Sequence, residues 1–533
     1  MSQQGASGVY ARQATGLVRE GSPWSVLVYN INFVSIGLMT LFAVLVIPTY
    51  PGANVQASFL LGLLLVLPTS FTFAMLSAAM PRSGGDYVYV SRILGPALGM
   101  MSSWNNTVWW VLYGGVPSAF FAYFGLTPFF RALGVISGNA GLVDLGNSLS
   151  EPTNVFLCGT VLIVAIVSVF AFGLNTYFKI QNVLFAIAMI GTLLTVGLLL
   201  FTGTDAFRAG LEARLGSGVY DSVLASATEG GYATAPFSWY WSLIPMTWIY
   251  LELVFNQSSA YIGGEVKRPG RVQLWSMPIS AVFSVGVGML IVAGLGKVVG
   301  IDWMGAVSWD AGATVGFATA PTYTELVSYA SGNLALAFVV GLGFIFWSYT
   351  WLPGQIANAS RNLLAYGIDG TMPSWFGKVN EKTHTPVNAL VTMGIGSIAA
   401  LWLYTRPDSP LTTLVGIFGF ILSFIVVSIA AIMLPSRQRD LFEGSPVNGR
   451  FAGIPHIRIA GTLSLVACLV MAWVYLKDPY SGLSLETGTK GFTMLLLNIG
   501  IFLSGWVIYA IAKVVQKGRG VDLDSTFREI PVE

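Results

Sequence analysis

Residues Trp239–Glu265, WYWSLIPMTWIYLELVFNQSSAYIGGE, form an apolar run with a polar middle in which Glu252, Asn256, Gln257, Ser258 and Ser259 fall close together. As one straight helix the run would be about 40 Å long, more than a hydrocarbon layer of ~30 Å requires, and the surplus permits a non-helical break. A second apolar run, residues 24–47, carries Asn30, Asn32, Ser35 and Gly37 in its own middle. Ordinary interhelical hydrogen bonding accounts for single polar groups, at about 0.6 kcal/mol each. Two such clusters, in the first and sixth runs, suggest more, because unwound backbone in a bilayer must find a partner. An offset of five is odd, so a repeat of five helices enters the membrane with opposite sense. Helices 1–5 and 6–10 can therefore form an inverted pair.

The rest of the chain supports a membrane setting. Of 533 residues, 54% are hydrophobic and 9% charged, where soluble domains carry about 25% charged residues. About twelve apolar runs are long enough to cross: 24–47, 56–80, 99–128, 152–173, 179–202, 237–263, 275–298, 332–364, 386–405, 410–434, 457–476 and 489–513. An even number puts both termini on one side. Arg131, Arg208, Arg214, Lys297, Arg406, Lys477 and Lys490 fall on the opposite side, leaving nineteen of the 26 Lys and Arg with the termini. The positive-inside rule then makes both termini cytoplasmic, and the expected location is the plasma membrane, multi-pass. The outer loops 203–236 and 299–331 collect Asp205, Glu212, Asp221, Glu229, Asp302, Asp310 and Glu325 and are expected to be structured caps. The first apolar run is too long for the core of a cleavable leader. Cys158 and Cys468 lie in apolar runs and read as core residues. A net charge of +2 offers no footprint for nucleic acid, so the partners expected are lipid and a small molecule.

Glu252 is the acidic residue deepest in any run. Central charges cost about 2.5 to 3.5 kcal/mol on the insertion scale, so Glu252 is read as a proton carrier or counter-charge, against the alternative of a structural Glu. Among the aromatic residues crowding this region, Trp109, Trp110, Tyr113 and Trp248 are the gating candidates, although interfacial belts and packing account for most such residues.

Three further segments carry a resemblance. Pro81, Gly84, Gly85, Tyr87 and Tyr89 match a Pro-x-x-Gly-Gly-x-Tyr-x-Tyr signature. Glu265-Val266-Lys267-Arg268-Pro269-Gly270-Arg271 follows helix 6. Ser360-Arg361, Asp369-Gly370, Met372-Pro373 and Thr385-Pro386 follow in order. Together they resemble the amino acid-polyamine-organocation permease superfamily over roughly residues 24–434. The resemblance implies an all-α membrane fold of the LeuT type: a five-plus-five inverted repeat with discontinuous helices 1 and 6, plus two C-terminal helices. The implied organisation is a cytoplasmic segment 1–23, repeat 24–202, outer loop 203–236, repeat 237–434, helices 11 and 12 in 457–513, and a tail 514–533. The family's Gly-x-Glu in helix 6 is replaced by Phe255-Asn256-Gln257, and the fifth-helix Lys of some proton-coupled relatives is missing from Leu184–Met189.

On this reading the chain is a secondary active permease for amino acids or related amines. An exchanger of polyamines or basic amino acids, or a transport-inactive receptor or subunit of the same fold, is the alternative. Asn32, Ser35, Ile36 and Gly37 are expected to receive the carboxylate at the helix-1 break. Phe255, Asn256, Gln257 and Ser258 are the expected substrate-binding residues of the helix-6 break, where backbone carbonyls with Gln257 and Glu252 would receive the amine. No cofactor or metal is expected, and the coupling ion is expected to be a proton ahead of sodium. An enzyme is disfavoured, because the two histidines, His384 and His456, fall in loops. A channel would need polar rings along several helices. The charge asymmetry yields a direct test: a cysteine at Lys378 should react with an impermeant maleimide only from the cytoplasm, and one at Glu212 only from outside. The reverse pattern would overturn the orientation.

Overall fold

The computed structural model describes residues 16–527 except 311, 312, 315, 318, 408, 410 and 412–414. Arg12 and Arg528, both expected on the cytoplasmic side, lie outside these. Eleven segments among the described residues have the length and hydropathy to cross a membrane. The expected crossing missing from them is the sixth, because it breaks into short pieces.

Helix 1 starts at Pro23, where the missing proline N–H costs nothing and Ser22 Oγ accepts from Ser25 N–H. Its first half, Pro23–Val34, ends at Ser35 in the left-handed region (φ 48°), and its second half is Ile36–Val46. Helix 2 is Val55–Ala79. Helix 3, Pro96–Phe120, continues through a π turn, Phe121–Leu126, into Thr127–Ser137. Helix 4 is Pro152–Ala171 and helix 5 Leu174–Phe201. Helix 6 comprises Trp239–Leu243, Ile244–Met246 and Thr247–Leu253, followed by the one-turn pieces Ser258–Ala260 and Gly263–Glu265. Helix 7 is Pro269–Val298, and helix 8 is broken into Leu334–Trp347 and Trp351–Asp369. Helices 9 to 12 are Val387–Tyr404, Val415–Arg437, His456–Lys477 and Lys490–Gly518.

The fold is all-helical apart from a small hairpin, Arg450–Phe451 with Ile454–Pro455. Its packing carries the five-plus-five relation: helix 3 packs on helix 10 as helix 8 packs on helix 5, and helix 6 packs on helix 2 as helix 1 packs on helix 7. Each pair becomes the other when five is added or subtracted. Helix 11 covers helices 2 and 10, and helix 12 covers helices 3 and 10. The two long outer loops are helical, at Thr204–Leu215 and Val219–Glu229 and at Ile301–Trp309 and Tyr323–Ser331.

Several charges counted as loop residues are interior. Helix 3 runs past its expected end at 128, its π turn following Pro117, which cannot donate to an ordinary helical bond. Arg131 thus sits inside helix 3, forked onto Glu325 at 2.7 and 2.8 Å. At the end of the bundle expected to face the cytoplasm, Arg361 forks onto Glu265 at 2.8 and 2.9 Å, with both side chains at most 2% exposed. Arg92 pairs with Asp369 at 2.7 Å. Asp86 accepts from Ser102 Oγ (2.8 Å) and Asn106 Nδ2 (3.2 Å). It starts the inner helix Asp86–Ile93, outside the spanning segments. Burial pushes its carboxyl up to about 7, and hydrogen bonds from Ser102 and Tyr261 offset this only in part.

Removing one partner of a buried ion pair strands the other charge, at a cost of about 3 to 5 kcal/mol. Arg361→Met should therefore lower the thermal midpoint strongly, and adding Glu265→Gln should recover much of the loss. For Asp86 the sign runs the other way from a paired carboxylate. The unfolded chain releases this proton near pH 4 and the folded chain holds it to about 7, so its contribution to stability falls as pH rises through that window. Melting curves between pH 4 and 8 should show that fall in the parent and a flatter profile in Asp86→Asn.

Candidate substrate site at the helix breaks

The helix-1 break is stitched to the break in helix 8. Ser35 N–H reaches Asn32 O and Ile31 O at 3.1 Å, and Ser35 Oγ donates to Trp347 O at 2.7 Å. Trp347 is the last residue of the first half of helix 8. Gly37 allows this approach: a Cβ there would lie 2.6 Å from Trp347 Cβ. Ile36 is buried in a cluster with Val28, Phe185 and Trp347.

The helix-6 break is held by helices 1 and 7. Asn30 Oδ1 accepts from Ser259 N–H (2.9 Å), and Gln273 Nε2 donates to Ser259 O (2.9 Å). Ser259 Oγ accepts from Asn30 Nδ2 (2.9 Å) and donates to Gln273 Oε1 (2.6 Å). These residues are consumed in capping unwound backbone, which gives Asn30 a structural duty.

Helix 8 forms a seam with these breaks. Trp351 Nε1 donates to Glu252 Oε2, and Asn358 Nδ2 donates to Ser258 Oγ at 2.9 Å. One turn further on, Asn362 Nδ2 donates to Thr107 Oγ1 of helix 3 at 2.9 Å. Phe33 packs so tightly on helix 8 that a Cβ on Gly354 would lie 1.9 Å from its ring. Phe255 stands in contact with Phe33 (5.0 Å between centroids), Phe420 (5.1 Å) and Trp351 (6.0 Å). Gln355 lies one turn after Trp351 and just before Asn358, on the helix face turned toward the break. It is fully buried, and neither its Oε1 nor its Nε2 has a hydrogen-bond partner among the described residues. The same holds for both amide atoms of Asn256, and Gln257 Oε1 and Glu252 Oε1 are likewise unpaired.

The expected site residues thus separate. Glu252, Phe255 and Ser258 meet helix 8 at the seam, with Asn256 and Gln257 in the same turn. Asn32 faces elsewhere, lining an apolar cavity of about 170 Å³ with Leu162, Gln181, Phe185, Tyr349 and Thr350. Trp110 packs edge-on against Tyr261 (4.4 Å) and beside Phe420 (5.9 Å). Trp109 packs on Tyr113, whose hydroxyl accepts from Gly416 N–H of helix 10 at 3.2 Å. Trp248 lies against Phe42 in the outer half of helix 1. Phe33, Trp351 and Gln355 went unremarked in the sequence. The spacing of Trp351, Gln355, Asn358 and Asn362 on one helical face was the signal that could have found the helix-8 members.

A family model described as amino acid permease matches residues 22–503. Among similar proteins, the cationic amino acid transporter 2, vacuolar, of Arabidopsis thaliana is 22% identical over 72% of this chain and 55% of its own length. The branched-chain amino acid permease BcaP of Lactococcus lactis is 24% identical over 78% of this chain and 82% of its own. The glutamate/serine transporter AimA of Bacillus subtilis is 23% identical over 87% and 76%. The aligned region spans about half the length of the first of these. With a family match covering nearly all twelve helices, on a fold whose first and sixth helices break where that architecture requires, the chain belongs to the amino acid permease family.

Proposed function

We propose that the chain carries an amino acid across the plasma membrane by alternating access, binding it where the helix-6 break meets helix 8. The observation that carries this reading is the pair of buried, wholly unpaired amides of Asn256 and Gln355. An unsatisfied buried polar group costs about 1 to 3 kcal/mol, and a ligand bearing both donors and acceptors recovers that cost. The amine goes to the carbonyl oxygens of the helix-6 break with Gln257, and the carboxylate to the amide end of the second half of helix 1, which no side chain caps. The ring wall of Phe33, Phe255, Trp351 and Phe420 favours an apolar or aromatic substrate side chain.

Glu252 is fully buried, and its carboxyl accepts from the indole N–H of Trp351. No described ion pair includes it. A carboxyl so placed suits a transported proton, and a proton is the proposed coupling ion. One elementary charge moved through 100 mV supplies about 2.3 kcal/mol, enough for roughly fiftyfold accumulation.

Uptake of labelled amino acids into proteoliposomes, with proton and sodium gradients imposed separately, tests the reading. Gln355→Leu should weaken binding about tenfold or more, as expected when a buried polar contact is lost, while leaving the melting temperature equal or higher, because it removes an unpaired amide. Unchanged affinity would place the site elsewhere. Glu252→Gln should stop gradient-driven uptake yet keep substrate exchange; equal loss of both would remove Glu252 from proton handling.

A further inference from the structure

Helix 12 holds a second site, at its cytoplasmic end. Its 29 residues make about 43 Å of helix against a hydrocarbon layer of ~30 Å, so its last turns pass out of the acyl region into the head groups. There it stands away from the loop after helix 8 and leaves a cavity of about 740 Å³. Ile508, Ile511, Ala512 and Val515 form one stripe of helix 12 along it, with Met372 and Trp375 opposite. Ile511 and Val515 are open to the surroundings. So is Trp375, stacked on Phe376 at 3.9 Å. Gln516 Nε2 donates to Gly370 O at 2.8 Å and ties the two walls together.

Arg519 closes the wet end of the cavity. Lys513, nearer the acyl region, is taken by Asp524. The side chains of Arg519 and Lys517 are exposed and make no hydrogen bond or ion pair among the described residues. The groove therefore offers aliphatic side chains of helix 12, a tryptophan on the opposite wall and one cation, Arg519, at its end. That set matches the acyl chain, glycerol backbone and phosphate of a phospholipid in the cytoplasmic leaflet.

We propose that this groove binds one anionic phospholipid, with an acyl chain along Ile508, Ile511 and Val515 and the phosphate at Arg519. Charge complementarity favours an anionic headgroup over a zwitterionic one, and the opening toward the bilayer favours a lipid over a soluble phosphate. A lipid seated there joins helix 12 to the loop that follows Asp369, the partner of Arg92.

The full chain, purified in detergent and stripped of lipid, is titrated with phosphatidylglycerol or with phosphatidylcholine of the same chains. Bound lipid is read by native mass spectrometry and stability by thermal melting. Phosphatidylglycerol should be retained at one per chain and should raise the melting temperature, with phosphatidylcholine bound about fivefold more weakly or less, the preference expected from one basic residue. Arg519→Gln, on the surface and silent for folding, should abolish the preference between headgroups. Ala512→Phe, which fills the groove, should reduce retention of both lipids. Equal binding of the two lipids by the parent, or an unchanged preference in Arg519→Gln, overturns the proposal. So does a dimer formed through helix 12 that excludes lipid from the groove.

Discussion

Hydrocarbon offers no hydrogen-bond partner, so each N–H and C=O freed by a break in a membrane helix must be met by the protein or by what it carries. Helices 1, 6 and 8 all break near one another in this chain, and they answer part of that demand for each other. Ser35 reaches across to the last carbonyl of the first half of helix 8, and Asn30 with Gln273 takes both the N–H and the C=O of Ser259. At the seam between helices 6 and 8 the amides of Asn256 and Gln355 stay wholly unpaired among the described residues. The broken helices are thus tolerable because they are clustered, and a polar site exists in an apolar core because the clustering is incomplete.

The two ends of this core are closed by buried polar contacts of different kinds. At one end, Arg361 on helix 8 holds Glu265 at the end of helix 6, and the backbone of Glu265 accepts from the N–H groups of Glu20 and Gly21 ahead of helix 1. At the other, the Asp478 carboxyl accepts from Tyr50 and Thr247, joining the ends of helices 1 and 11 to helix 6, while Arg131 and Glu325 pin helix 3 to the loop after helix 7. Charges buried in this way pay heavily in lost hydration, and water entering on one side returns much of it. Such contacts suit surfaces that must open as well as close, as the proposed transport cycle would require of both ends.

Glycine at 37 and 354 shows how closely helices 1 and 8 fit. Trp347 occupies the space a Cβ at 37 would need, and the Phe33 ring occupies the space at 354. Helices 1 and 8 therefore pack ring against backbone at the level of the breaks, and a shift of either is transmitted to the other because a packed interior does not deform continuously.

Crossing segments and breaks were legible in the residues because they depend on local composition: an apolar run of about twenty residues has one stable home, and a polar cluster within it marks strain wherever it lies. The motif loops after helices 2, 6 and 8 were legible for the same reason. Tertiary structure decided which polar residues are spent and which are free. Asn30 and Asn256 are the same residue type in matching breaks, yet one caps Ser259 and the other pairs with nothing described. It also decided that Arg361 is an interior partner of Glu265, that helix 8 breaks at Ser348–Thr350, and that Gln355 is buried with its amide unpaired among the described residues. These outcomes rest on contacts between segments far apart in the chain, 100 residues in the case of Ser258 and Asn358. Neither segment alone specifies such a contact, because a side chain's hydrogen bond is settled by what the packing brings opposite it.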